Sequence, residues 1–144
     1  MGGGCMMPAG VYYVGDLCYV MTDEEWEQFC SITIEGNKCL EGEFNMPDGR
    51  RFATYSTMWG DGEYRDQHGN RYGVDSGSIG CILLSDIRAN KYEDIKELGT
   101  VVEFTEDIFT SGCIKGRDSN GVINIGPLRI DTDPSDYTMD GDDQ

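Results

Sequence analysis

The residues of this chain whose types are suited to chemistry are concentrated in one glycine-rich stretch, residues 59–80, which reads WGDGEYRDQHGNRYGVDSGSIG. It contains the single histidine, His68, and three aspartates, Asp61, Asp66 and Asp75. Carboxylates on flexible loops supply the hard oxygen ligands that calcium binds. The three aspartates are therefore candidate metal ligands, and a small-ligand site at the same position is the related alternative.

The spacing of these carboxylates differs from that of a known calcium loop. The run from Asp61 to Asp66 lacks the alternate-residue ligands and the terminal glutamate of an EF-hand. Aspartate beside glycine is also common turn chemistry, because its carboxylate bonds to nearby backbone amides. Asp16, which follows Gly15, has the same two interpretations: a further oxygen ligand or a turn residue.

The chain lacks the groups that most enzyme mechanisms need. A serine or cysteine nucleophile needs a base to take its proton, and His68 is the only histidine. It lies at the predicted tip of a hairpin, where a rigid nucleophile–base pair is not expected. A single histidine also excludes zinc and iron sites that use several histidines. The glycines at 60–62 and 73–80 do not form a GxxxxGK[ST] phosphate loop. The sequence therefore predicts a protein that is not an enzyme and has no cofactor.

The charge of the chain predicts the kind of partner that it binds. The 144 residues carry a formal net charge of −16, from 27 acidic and 11 basic residues, and 38% of them are hydrophobic, as in a globular domain. A field of this sign repels phosphate groups, so we expect no direct binding to nucleic acids or anionic membranes. It favours protein partners with basic surfaces, and it suits a protein that imitates a nucleic acid.

The cysteines are not spaced as a metal or redox motif, because no two of the six are separated by two residues. No apolar signal-peptide core precedes the domain, so a secretory protein with disulfides is not expected. We predict reduced, structural thiols in a cytoplasmic setting. No run of about 20 apolar residues occurs, so no transmembrane segment is predicted.

The N-terminal sequence MGGGC invites comparison with an acylated protein. Gly2 would carry one lipid chain and Cys5 a second. The acylation pattern needs Ser or Thr at position 6, where this chain has Met6. We therefore predict a flexible N-terminus at residues 1–10.

The remaining chain is predicted to form a single β-rich domain at residues 11–130, followed by an acidic C-terminal tail at 131–144 with six aspartates and no basic residue. Alternating and β-branched residues predict the strands. They lie at 11–21 with a turn or bulge at 15–16, and at 39–45, 51–58, 62–65, 71–75, 79–84, 101–104, 110–115 and 122–130. Turn residues join them at 46–49, 66–70 and 118–121.

Two short helices complete the predicted elements. Thr22 and Glu25 match a capping box that opens the first helix, and Trp26, Phe29 and Cys30 lie on one of its faces. The second helix is predicted at 86–98. The fold class is therefore α+β, predominantly β, with an antiparallel sheet curled into a barrel or sandwich and two short helices.

Two stretches together carry a resemblance to known proteins. The first is YVGDLCYV at 13–20, followed by the helix that contains Trp26; the second is GDGEY at 60–64, continuing through VDSGSIG at 74–80. Their order resembles small uncharacterised proteins of bacteria, phages and large DNA viruses, many of which have proline where this chain has Leu17. The resemblance implies a viral setting, and hence the virion as an alternative location to the cytoplasm. It implies no catalytic residues.

Three hypotheses about function follow. The first is a non-enzymatic structural or protein-interaction domain, which in the viral setting would be a minor capsid component bound to capsid or host proteins. The second is an acidic inhibitor or decoy of a host factor that binds nucleic acids or nucleotides. The third is a domain that binds calcium or a small ligand through its aspartates.

Overall fold

The computed structural model describes residues 5–36, 38–58, 60–87, 99–112 and 121–132. The strands in these ranges are β1 (Cys5–Met7), β2 (Gly10–Gly15), β3 (Ile34–Glu35), β4 (Lys38–Cys39), β5 (Gly42–Asn45), β6 (Arg51–Ser56), β7 (Gly62–Asp66), β8 (Arg71–Val74), β9 (Ser78–Leu83), β10 (Thr100–Phe104), β11 (Ile108–Ser111), β12 (Val122–Ile125) and β13 (Leu128–Asp131). The α-helix α1 spans Asp23–Thr33, and short 3-10 helices span Leu17–Val20 and Leu84–Asp86.

Several predicted features lie outside the described residues. They are most of the second helix at 86–98, most of the turn at 118–121, the tail beyond residue 132, the acylation candidate Gly2 and the side chain of Cys5. Residues 5–7, assigned by the sequence to a flexible N-terminus, form strand β1 instead.

The strands pair antiparallel and form two large sheets. One has six strands in the order β1-β11-β12-β13-β7-β8, and the other has five in the order β10-β2-β9-β6-β5. Strands β3 and β4 form a separate pair. The predominantly β class with antiparallel sheets is thus confirmed. Over the described residues both large sheets end in edge strands, so they do not close into a barrel.

The predicted strand at 11–21 is wrong in its second half. β2 ends at Gly15, and a 3-10 helix follows at Leu17–Val20. Asp16 causes the change, because its side chain accepts a hydrogen bond from the backbone N–H of Cys18 at 3.0 Å and caps the short helix. The predicted interruption at 15–16 therefore ends the strand.

The predicted strand at 122–130 is a hairpin, β12 and β13, with its turn at Gly126 and Pro127. Gly126 has a φ of 57°, which favours glycine. A Cβ at this position would lie 2.8 Å from Ile108, so the turn also packs closely. The Gly-Pro pair is common turn chemistry, and it is the signal that the sequence prediction missed.

The first predicted helix and its capping box are confirmed. The Thr22 hydroxyl accepts a bond from the Glu25 N–H at 3.0 Å, and the Glu25 carboxylate accepts one from the Thr22 N–H at 2.9 Å. Arg50 then pairs with Glu25 at 2.7 Å, which joins the cap to the β5–β6 turn. Among the described residues, no helix is long and apolar enough to cross a membrane.

The larger hydrophobic cluster takes side chains from both large sheets. Its members include Val14, Ala53, Tyr55, Ile79 and Cys81 from the five-stranded sheet, and Tyr64, Tyr72, Ile123, Ile125 and Ile130 from the six-stranded sheet. The hydroxyls of Tyr55 and Thr110 form a buried hydrogen bond of 2.7 Å across this interface. Burial raises the pKa of the Cys81 thiol to about 12, so this cysteine packs as a small hydrophobic group.

The second cluster lies between α1 and the other face of the five-stranded sheet. Trp26 stacks on Phe29 with ring centroids 4.4 Å apart, and Phe29 stacks on Phe52 of β6 at 5.0 Å. The helix therefore covers this sheet, as its apolar positions predict. The outer face of the six-stranded sheet differs, because its side chains Glu63, Arg65, Phe109 and Arg129 are exposed.

The five-stranded sheet depends on a close approach at Gly80, at the centre of β9. Gly80 is paired with Gly15 on one side and Thr54 on the other. A Cβ at Gly80 would overlap the carbonyl oxygen of Ala53 and lie 3.1 Å from Leu17.

We predict that Gly80→Ala lowers the free energy of unfolding by at least about 3 kcal/mol, because a backbone oxygen cannot move aside as a flexible side chain does. Gly73→Ala in β8 is the matched control, since a Cβ there meets nothing within 4 Å. It should change stability by less than about 0.5 kcal/mol. Urea unfolding of both variants measures the difference, and equal effects would contradict the close approach.

Candidate functional site

The three predicted metal ligands occupy different environments. Asp61 and Asp75 are exposed, whereas Asp66 is buried at the end of β7. Over the described ranges, no group of three or more His, Cys, Asp or Glu side chains is placed to hold a metal ion. The structure thus does not bring these aspartates together as a set of ligands.

Asp66 organises the tip of the β7–β8 hairpin. Its carboxylate accepts hydrogen bonds from the Tyr72 hydroxyl at 2.6 Å, the side chain and backbone N–H groups of Asn70, and the backbone N–H of His68 at 2.8 Å. Burial alone would raise the pKa of Asp66, but these bonds outweigh it and hold the pKa below its ordinary value of 3.8. The hairpin therefore uses the charged carboxylate, and His68 is exposed at its tip.

Asp16 joins two distant parts of the chain and is fully buried, at 0% exposure. One carboxylate oxygen accepts the N–H groups of Asp75 and Ser76, each at 2.7 Å. The other accepts the Ser76 hydroxyl at 2.8 Å and the N–H of Cys18 at 3.0 Å. Its backbone oxygen accepts the Tyr13 hydroxyl at 3.1 Å. Of the two interpretations of Asp16, the turn residue fits these contacts, since four protein donors occupy its carboxylate.

A large cavity lies away from all of these aspartates, between the β10–β11 loop and the β12–β13 turn. Its volume is about 610 Å³, within the range of ligand-binding clefts. Its apolar floor is formed by Phe104, Ile108, Phe109 and Pro127, and its acidic rim by Glu103, Glu106 and Asp107. We call this cavity the Phe109 groove.

An exposed apolar pair lies at the groove. Met6 in β1 and Phe109 in β11 are direct cross-strand partners, so their side chains lie side by side on the outer face of the six-stranded sheet. They are 54% and 53% exposed, the highest values among the large hydrophobic side chains of the described residues. Sequence reasoning missed Phe109 because it began this strand at 110. The sequence Ile108-Phe109-Thr110 carries no alternation of apolar and polar residues that would mark Phe109 as exposed, so its exposure is seen only in the structure.

The charged side chains that line the groove are acidic. Glu103, Glu106 and Asp107 are all exposed, and no basic side chain is among the described residues that line the groove. Asp107 accepts one hydrogen bond, from the N–H of Ala9 at 3.0 Å. The guanidinium of Arg51 lies next to Met6, because it donates a hydrogen bond to the Met6 carbonyl at 3.0 Å. It also forms an ion pair with Glu43 of β5. The groove thus keeps a negative rim beside an apolar floor.

A second cavity, between α1 and the five-stranded sheet, is much smaller. Its volume is about 90 Å³, and Trp26, Cys30 and Thr54 are among the residues that line it. The Thr54 hydroxyl is buried and has no hydrogen-bond partner among the described residues. This volume is far below that of an ordinary ligand site. The Phe109 groove is therefore the better candidate for a binding site.

We predict that Asp16→Asn lowers the free energy of unfolding by about 3 kcal/mol. Both carboxylate oxygens face donors, so an amide in either orientation points its NH₂ group at another donor. Asp61→Asn, at an exposed position that also follows a glycine, should change stability by less than about 0.5 kcal/mol. Chemical unfolding at neutral pH compares the two variants. Equal stabilities would contradict an anchoring role for Asp16.

The depressed pKa of Asp66 predicts acid sensitivity with a definite sign. A carboxylate whose pKa is lower in the native than in the unfolded state stabilises the fold above the unfolded value and loses this contribution as the pH falls through the native value. The stability difference between the natural chain and Asp66→Asn should therefore shrink as the pH falls from about 5 to about 2.

Tyr72→Phe provides the control for this assignment, because it removes the donor nearest to Asp66. It should raise the pKa of Asp66, which an NMR titration of the carboxyl carbon measures directly. A pKa unchanged by Tyr72→Phe would show that this hydroxyl does not stabilise the charged form.

Comparison with known proteins gives no relative from which a function follows: no protein-family model matches the chain, and no curated protein or solved structure shows significant similarity to it.

Proposed function

We propose that this chain is a non-enzymatic protein-interaction domain that binds its partner through the Phe109 groove and the neighbouring Met6 side chain. The observation that carries this proposal is the cross-strand pair of Met6 and Phe109, each more than half exposed on adjacent strands. Methionine and aromatic residues are enriched in protein interfaces, where both supply adaptable apolar contact. Two such side chains placed together on one face are suited to burial against a partner.

The position of the pair within the fold supports the same function. α1 covers one face of the five-stranded sheet, and the shared hydrophobic cluster fills the space between the sheets. We infer from this shared cluster that the two sheets form a sandwich. The exposed outer face of the six-stranded sheet is then the surface available to a partner, and strands fix the positions of Met6 and Phe109.

The carboxylates of Asp16 and Asp66 favour this proposal over calcium binding. Four donors occupy Asp16, and Tyr72, Asn70 and His68 supply the donors to Asp66. A calcium ion would have to displace these bonds. The groove acids, in contrast, are exposed at a surface that also offers apolar contact.

The identity of the partner depends on the biological setting of the chain. If the resemblance to viral proteins holds, the partner is a shell protein and the chain is a minor capsid component. The inhibitor alternative uses the same acidic groove and differs in the identity of its partner, a host factor.

We predict that the double variant Met6→Ser with Phe109→Ser loses partner binding while remaining folded. Exposed positions tolerate such changes, so its melting temperature should stay close to that of the natural chain. Ile34→Ser is the matched control, because Ile34 is 45% exposed and lies on β3, in neither large sheet. Chemical cross-linking of tagged chains in the source cells, followed by mass spectrometry, identifies the bound proteins.

The expected result is a set of cross-linked proteins shared by the natural chain and Ile34→Ser and absent from the double variant. Recovery of the same proteins with all three chains would overturn the assignment of the groove. Virion proteins within the shared set would support the capsid form, and host nucleic-acid-binding proteins would support the inhibitor form.

A further inference from the structure

We propose that the Phe109 groove binds a short basic segment of a partner protein, in which lysine or arginine residues accompany apolar side chains. This inference rests on the proposed function and specifies the chemistry of the partner. Its basis is the combination of an acidic rim and an apolar floor in one cavity of about 610 Å³.

The rim selects for positive charge. Glu103 and Glu106 are exposed, and Asp107 keeps carboxylate lone pairs available beyond its bond to Ala9. Carboxylates form charge-assisted hydrogen bonds with lysine and arginine. The net charge of −16 draws cationic partners toward the whole molecule, and the rim places three of the negative charges at the apolar surface.

The floor selects for apolar groups in the same ligand. Phe109 in the floor and the neighbouring Met6 offer an exposed apolar surface that a purely ionic ligand such as a metal cation would leave in water. Burying this surface requires aliphatic or aromatic side chains next to the basic ones. A segment with both kinds of side chain satisfies the rim and the floor together.

The negative charge of the rim also argues against binding of a second copy of the chain or of the chain's own acidic C-terminal sequence. A second copy of the chain would bring another net charge of −16 to an acidic rim. The sequence beyond residue 130 carries six aspartates and no basic residue, so it too would be repelled. A heterologous basic segment is the occupant that the groove complements.

Selection from an unbiased random peptide library displayed on phage tests this inference. The folded full-length chain is the target, and the folded double variant Met6→Ser with Phe109→Ser removes peptides that bind elsewhere. We expect the peptides that depend on the groove to be enriched in lysine or arginine beside leucine, phenylalanine or similar residues. Groove-dependent peptides without this basic enrichment would overturn the inference and leave the interaction site intact. An absence of groove-dependent peptides would overturn both.

Charge variants then separate the rim from the overall charge. A selected peptide should bind Glu103→Gln with Glu106→Gln at least tenfold more weakly than the natural chain. Glu24→Gln with Glu27→Gln is the control, because it removes the same number of charges from exposed positions of α1. This control should change the dissociation constant less than twofold. Equal weakening by the two double variants would overturn the assignment to the rim.

Discussion

The buried carboxylate of Asp16 is the interaction on which the arrangement of this fold depends. It ends β2, caps the following 3-10 helix and accepts both backbone N–H groups at 75–76, some 60 residues further along the chain. These donors lie in the segment that leads from β8 of the six-stranded sheet to β9 of the five-stranded sheet. A single side chain thus fixes the point at which the chain passes from one sheet to the other. An apolar residue of similar size would leave several backbone donors buried without acceptors.

The hydrogen bonds of the glycine-rich stretch at 59–80 indicate a structural role for it. Its aspartates have the composition of a ligand site, yet the carboxylate of Asp66 accepts hydrogen bonds from the hairpin itself, including the Tyr72 hydroxyl. The backbone N–H groups of Asp75 and Ser76, in turn, bind the carboxylate of Asp16. Exposed acidic and apolar side chains meet instead in the Phe109 groove, which is formed by residues outside this stretch. If the groove binds a partner as proposed, stability and recognition depend on different parts of the molecule, so the groove can change without loss of the fold.

Local signals in the sequence predicted much of the fold. The capping box at Thr22 and the turns at 46–49 and 66–70 depend on neighbouring residues, so their chemistry is visible in the sequence itself. The exposed apolar pair beside the groove depends on pairing between Met6 and Phe109, residues more than 100 positions apart, and no local pattern specifies that register. The anchoring role of Asp16 could not be predicted for the same reason. An aspartate beside a glycine predicts a turn residue or a metal ligand, but its distant hydrogen-bond donors at 75–76 are brought to it only by the assembly of the two sheets.

The pairing of β1 with β11 also has a consequence for the order in which the protein acquires its binding surface during synthesis. Met6 leaves the ribosome about 100 residues before Phe109 and the turn at Gly126. Domains fold as units while they emerge, and a surface shared between β1 and β11 exists only after both strands have been made. A partner that contacts both Met6 and Phe109 would therefore bind only chains in which β1 and β11 have already paired.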